Sequence, residues 1–234
     1  MMDSNSHRQT DARLKAEVIV TCCALGQHGL THGTSGNVSV RRDAETFFIS
    51  PTGVPYEQLD DIPLMDFQGR WYGTRRPSSE WRFHRDILKE RPDINAIVHT
   101  HSKYAVALAC TGSGIPAFHY MVAVAGGADI RCAPYATFGT QALSDNAVAA
   151  LVDRKACLLA NHGLIATGHD LASALRLAGE VENLAAQYTA ALAAGEPEIL
   201  GTDEMIKIVD LFRSYGKQNS DHDPDLRFGG PSAP

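Results

Sequence analysis

The 234-residue chain is 44% hydrophobic and 21% charged, with a formal net charge of -6 at pH 7; it has the apolar content for a full core, and its mild acidity argues against nucleic acid as the main partner while leaving small anions open. Its five cysteines, at 22, 23, 110, 132 and 157, contain no C-x-x-C pair, a poor disulfide framework that reads as reduced packing residues. No apolar leader opens the chain and no stretch approaches the ~20 apolar residues of a membrane span, so a cytoplasmic protein is expected.

In chain order, Leu14, Val18, Cys22 and Leu25 recur at helical spacing and predict a first amphipathic helix over 11–25. Short β-rich pieces follow at Asn37–Val40, Thr46–Ser50 and Ile62–Asp66, divided by Pro-Thr-Gly and Gly-Arg breaks. A helix is expected after Pro77 with Trp81, Phe83, Ile87 and Leu88 inward, stopped by Arg91-Pro92-Asp93. Next comes an apolar strand ending in Val98-His99-Thr100-His101, then a helix over Tyr104–Ala109. The run from Arg131 through Phe138 leads to a helix capped near Ser144, with Leu151 and Val152 on its buried side. A second apolar strand over 157–161 runs out at His162, Asp170 caps a long Ala- and Leu-rich helix to Gly195, and a last helix runs from Thr202 to Tyr215-Gly216. The pattern reads as one α/β domain over 1–216 with a polar, flexible tail at 217–234.

The pair His99 and His101 carries the strongest chemical signal. Side chains alternate along a strand, so residues two apart project together and can grip one ion from a single edge. His162, at the end of another apolar run, supplies a distant third imidazole. Three His with a carboxylate suit a catalytic zinc site, which keeps a position open for water or substrate. A lone His more often caps a strand or lines a polar edge of the core, and of the remaining His, namely His7, His28, His32, His84, His119, His169 and His222, most read as surface or packing residues. A closed structural zinc site is disfavoured, because no Cys has suitable spacing beside the His set.

Three small polar clusters, Gly33 to Asn37, Ser50 to Gly53, and Pro77 to Glu80, offer hydroxyls and backbone N–H groups. A helix beginning at Ser78-Ser79 directs its unpaired N–H groups at an anion, so together the clusters could cradle a phosphate. Singly, each is an ordinary turn or cap. Glu80 alone reads as a first-turn carboxylate favoured by the helix dipole. Beside an anion and a metal it has a second use, as the base that removes a carbon-bound proton while the metal holds the resulting enediolate.

The segments T-S-G-N-V-S, S-P-T-G, P-S-S-E-W-R-F-H, V-H-T-H, H-Y-M-V-A-V-A-G-G, C-A-P-Y-A-T-F-G-T and N-H-G-L-I-A, spread between about Ala12 and Tyr215, resemble the class II aldolase/adducin family. The resemblance implies a single three-layer α/β/α domain around a mainly antiparallel sheet and a cyclic homotetramer with zinc sites at subunit boundaries. It implies zinc ligation by His99, His101 and His162, with Glu80 as acid/base and as a ligand when substrate is absent. It further implies a phosphate site at Gly36, Asn37, Thr52, Gly53, Ser78 and Ser79. Tyr120 matches a tyrosine that reaches a neighbouring site and protonates the aldehyde-side oxygen, Tyr215 a C-terminal tyrosine of similar placement, and Phe138 an aldehyde-pocket aromatic. From the residues alone Tyr120 and Phe138 read as core or interface aromatics.

The activity so implied is reversible cleavage of L-fuculose 1-phosphate, or a similar ketose 1-phosphate, to dihydroxyacetone phosphate and L-lactaldehyde or another short aldehyde. A 5-deoxyribulose 1-phosphate aldolase is the nearest alternative, because the aldehyde pocket rather than the zinc and phosphate motifs sets that choice. Sugar-phosphate dehydratases, decarboxylases and 4-epimerases share the scaffold, and the epimerases tend to carry Asp where Glu80 stands. A non-catalytic adducin-like interaction module lacks the metal ligands retained here.

Overall fold

The computed structural model describes residues 4–212. Helix α1 (Ser4–Gln27) presents Leu14, Val18, Cys22 and Leu25 to the interior, all buried. It starts ahead of the expected boundary at Asp11. Residues 8–10 are helical yet exposed, so this turn buries nothing and leaves no apolar periodicity to read.

Eight strands form one sheet: β1 (Asn37–Arg41), β2 (Thr46–Ile49), β3 (Leu64–Asp66), β4 (Trp71–Tyr72), β5 (Ala96–Thr100), β6 (Arg131–Ala133), β7 (Ala156–Leu159) and β8 (Gly163–Gly168). Their order is β4-β3-β2-β1-β5-β8-β7-β6. Neighbours pair antiparallel except β6 with β7. Helices α1, α3 (Lys103–Ala109) and α5 (Leu171–Ala194) cover one face with Val18, Leu108 and Val181 against Val38, Val98 and Ala166. Helices α2 (Trp81–Glu90) and α4 (Gln141–Ala150) cover the other with Phe83, Ile87 and Leu143 against Phe47, Ile97 and Ile165. This is the expected three-layer α/β/α architecture. Strand β5 is buried along its whole length because both faces are covered, and Ala96 and Val98 join one core while Ile97 joins the other. Helix α6 (Thr202–Phe212) packs on the 3-10 turn Tyr120–Ala125. Among the described residues no helix is long and apolar enough to cross a membrane.

Two further helix starts differ from expectation. The cap of α4 is Thr140, whose hydroxyl accepts from the Leu143 N–H at 3.3 Å. Ser144 lies inside the helix, fully buried, and donates to the Asp86 carboxylate at 2.6 Å. Leu151 is buried as expected, but Val152, past the helix end, is 54% exposed. Helix α2 begins at Trp81 rather than at Ser78-Ser79. Pro77 bridges Pro51, and the Ser78 N–H donates to the Ser50 carbonyl at 3.0 Å, so Pro77 and Ser78 are held alongside Pro51 and Ser50, and Ser79 and Glu80 form the turn into the helix. Glu80 thereby occupies the N-cap position. Tyr215 and the tail expected over 217–234 lie outside the described residues.

Candidate metal centre and its cleft

The sheet register brings the site together. Asn37 of β1 stands opposite His99 of β5. Because Val38 and Val98 turn to the α1 side, alternation sends Asn37, Ser39, His99 and His101 to the side of α2, where Glu80 and His84 wait. His162 comes from the turn joining β7 to β8, in which Asn161 adopts φ 54°, a left-handed conformation that Asn tolerates. The glycine after it is required by space. A Cβ on Gly163 would lie 2.3 Å from the Thr100 carbonyl oxygen and 2.9 Å from His101 Cδ2, so only glycine lets this turn lie against the His-bearing strand.

Glu80, His99, His101 and His162 place one ligand atom each within 4.8 Å of one another. His99 Nε2 is 3.0 Å from His101 Nε2 and 3.2 Å from Glu80 Oε2, and His162 Nε2 is 3.1 Å from Glu80 Oε1. Ligands ~2.0–2.1 Å from a tetrahedral ion are ~3.3 Å apart, close to these separations. Glu80 Oε1 is buried without a hydrogen-bond partner, and an orphaned carboxylate oxygen facing imidazole nitrogens is a donor in want of a cation. The His99 Nδ1–H donates to the Leu164 carbonyl at 2.9 Å, which fixes the ring and leaves the Nε2 lone pair aimed at the cluster. The residues present therefore fit a divalent metal ion.

Electrostatics agree. Burial works to raise the Glu80 carboxyl, but the neighbouring His99 and His162 outweigh it and hold the group well below the usual carboxylate range. Burial, with the neighbouring imidazoles, brings His101 down to about 4. A carboxylate with neutral imidazole is the protonation state metal ligation needs.

The cluster lies at a cleft of about 320 Å³. Of the expected site residues, Gly36, Asn37, Thr52, Ser78, Ser79, Glu80, His101, His162 and Phe138 line it. His99 lies behind, fully buried. Gly53 follows Thr52 in the adjoining turn at φ 69°, outside the lining. Tyr120 opens the 3-10 turn, is 50% exposed and does not line this cleft. Tyr135 and Asn161 also line the cleft and were not expected from sequence. Tyr135 reads as one more aromatic of a loop, and the place of Asn161 follows only from the left-handed turn.

Asn37 does more than line the wall. Its Nδ2 donates to Glu80 Oε2 at 3.0 Å, and its Oδ1 meets Nε2 of the fully buried His84. His84 Nδ1 in turn lies 2.7 Å from the Ser39 hydroxyl. Burial, reinforced by His99, pushes the His84 imidazole down to about 3, so it is neutral. A chain of buried polar groups thus runs from β1 through α2 to the carboxylate, against the reading of His84 as ordinary packing.

Layered helices on a mainly antiparallel sheet, with one carboxylate and three imidazoles at an open polar cleft, define a metal-centre enzyme of the α/β/α type. The family described as "Class II Aldolase and Adducin N-terminal domain" matches residues 16–189. A relative from Rhodospirillum rubrum named 5-methylthioribulose-1-phosphate/5-deoxyribulose-1-phosphate aldolase is 56% identical over 190 residues, covering 80% of this chain and 86% of its own. The L-fuculose phosphate aldolase of Escherichia coli K12 is 46% identical over 207 residues, covering 87% and 96%. A solved structure of an L-fuculose 1-phosphate aldolase superposes with a TM-score of 0.83 at 42% identity, covering 86% of this chain and 96% of that one. The chain belongs to the class II aldolase and adducin family, and within it stands with the class II aldolases, which are metal-dependent lyases.

Proposed function

We propose that the chain reversibly cleaves a ketose 1-phosphate to dihydroxyacetone phosphate and a short aldehyde, using zinc held by His99, His101 and His162 and, between turnovers, by Glu80. The observation that carries this reading is the double placement of Glu80, inside the ligand cluster and in the cleft wall beside Ser78 and Ser79. A zinc ion held there would supply Lewis acidity toward the substrate oxygens in place of a Schiff-base lysine. The hydroxyls of Thr52, Ser78 and Ser79 and the backbone at Gly36 and Gly53 hold the phosphate, and the second N–H of the Asn37 amide is available to it. Glu80 returns a proton to the carbon freed when the carbon–carbon bond breaks, and in synthesis removes it. Tyr120, supplied by a neighbouring copy in a cyclic homotetramer, handles the proton on the aldehyde-side oxygen. Tyr215, which lies outside the described residues, is included in this reading as a further substrate-binding residue.

Substrate choice rests on the aldehyde end. Phe138 and Ala136 give the cleft an apolar wall, suited to a sugar that ends in a methyl group or a thioether. L-fuculose 1-phosphate, giving L-lactaldehyde, fits that description. The 56% identical relative favours a second reading, 5-deoxyribulose 1-phosphate or its 5-methylthio analogue. A panel of these ketose 1-phosphates, assayed for dihydroxyacetone phosphate release by the zinc-loaded protein, ranks them by kcat/KM. Release from at least one is expected; release from none, with zinc bound, would sink the aldolase reading.

A further inference from the structure

His84 sits on the buried side of α2, stacked on Phe83 at 4.6 Å between ring centroids and fully shielded from water. A polar ring in a layer otherwise filled by Phe83, Ile87 and Ile97 costs desolvation that an apolar side chain of that size would not. Its hydrogen bonds say what it does there. An ionised carboxylate can only accept, so the Asn37 amide must offer its NH2 end to Glu80 Oε2, at 3.0 Å. The carbonyl end then faces His84 Nε2, which must carry the ring's hydrogen. Nδ1 is left as an acceptor, and the Ser39 hydroxyl donates to it across 2.7 Å. Each proton in the chain follows from the one before.

We propose that His84 is a positioning residue for the reaction: its Nε2–H holds the Asn37 carbonyl, so that the Asn37 amide cannot flip and keeps its NH2 end pinning the Glu80 carboxylate at the cleft. This rests on the aldolase reading above. A flipped Asn37 sets a carbonyl oxygen against a carboxylate oxygen, which repels Glu80 from its working place.

The test separates the two faces of the ring. In His84→Gln the new amide reaches the place of Nε2 and still holds Asn37; in His84→Asn it reaches the place of Nδ1 and holds only Ser39. With zinc content and Tm measured for each, the Gln variant is expected to exchange the dihydroxyacetone phosphate proton with a kcat within about threefold of wild type, and the Asn variant about tenfold slower with KM little changed. In an Asn37→Ala background that difference is expected to vanish. Equal rates for the two variants, or a difference that persists without the Asn37 amide, overturns the proposal. A readout that needs no variant is the His84 tautomer in the zinc-loaded wild type by nitrogen NMR, expected as Nε2–H; the Nδ1–H form overturns it whether or not the variants fold. No proton exchange in the wild type would instead bring down the aldolase reading, a failure distinct from equal variants of an active enzyme.

Discussion

Exchanging the Glu80 carboxylate for the amide in Glu80→Gln leaves its shape, its contact with Asn37 and the three imidazoles in place, and removes its negative charge and with it the ability to take up a proton. The variant is expected to keep stoichiometric zinc while proton exchange at dihydroxyacetone phosphate falls by about 10²–10⁴; undiminished exchange would show that another group is the base. His99→Ala takes away a ligand and the bond to the Leu164 carbonyl, and should lose both metal and cleavage, read by zinc analysis and product assay. His84 governs an acid sensitivity. Its folded value, lowered to about 3 by burial, lies below the ordinary ~6.5 of the unfolded chain. Between those values the unfolded state binds the proton and the folded state does not, so stability rises with pH and is lost on acidification at up to ~1.4 kcal/mol per unit. His84→Gln should therefore lose less Tm than wild type between pH 7 and 5, and parallel losses would rule out this source.

At the level of elements, the β5–β8 pairing carries the ligands and tolerates little. Gly163→Ala places a methyl 2.3 Å from the Thr100 carbonyl oxygen and should cost about 1–3 kcal/mol in urea unfolding and loosen zinc. Gly179, inside α5 with nothing within 4 Å of an added Cβ, gives the opposite sign. Gly179→Ala should stabilise by about 0.5–1 kcal/mol with zinc unchanged. Legibility in the sequence follows the same physics. Strand β5 and the projection of His99 and His101 were readable because period-two alternation is local. Helix α5 and its Asp170 cap were readable because cap and apolar stripe adjoin, and the Asp170 carboxylate accepts from Ser173 as expected. Strands β4, β6 and β8 were not read, the first two being edges of two and three residues and the third a short apolar run between glycines. The start of α2 at Trp81 depends on Ser50, far along the chain, and Ser144 is drawn into the interior of α4 by the distant Asp86, partners that no local window contains; the Thr140 cap itself is local.

For the molecule as a whole, the family signature marked the residues of the candidate metal cluster and most of the cleft wall, whereas the strand order followed only from long-range pairing. Nothing in the sequence near His84 announced its link to Asn37, because the two meet across the sheet–helix interface. A metal held by the proposed ligands would join segments from α2, β5 and the β7–β8 turn, so a chelator should lower Tm and expose the layer between α2 and the sheet, since an ion that binds only the folded chain adds its binding free energy to stability. An unchanged Tm after complete zinc removal would show that the sheet register alone holds the ligands. A mass of four chains in native mass spectrometry is expected for the tetramer that Tyr120 needs in order to serve a neighbour, and a monomer active at full rate would exclude that role.

The distance along the chain between Glu80 and His162 also has a consequence for biosynthesis. A nascent polypeptide that has emerged from the ribosome only as far as β6 already carries Glu80, His99 and His101, yet lacks β8, the strand that flanks β5 and anchors the His99 ring through Leu164. Tight capture of a metal by the proposed ligands would thus wait until the last sheet strands are translated.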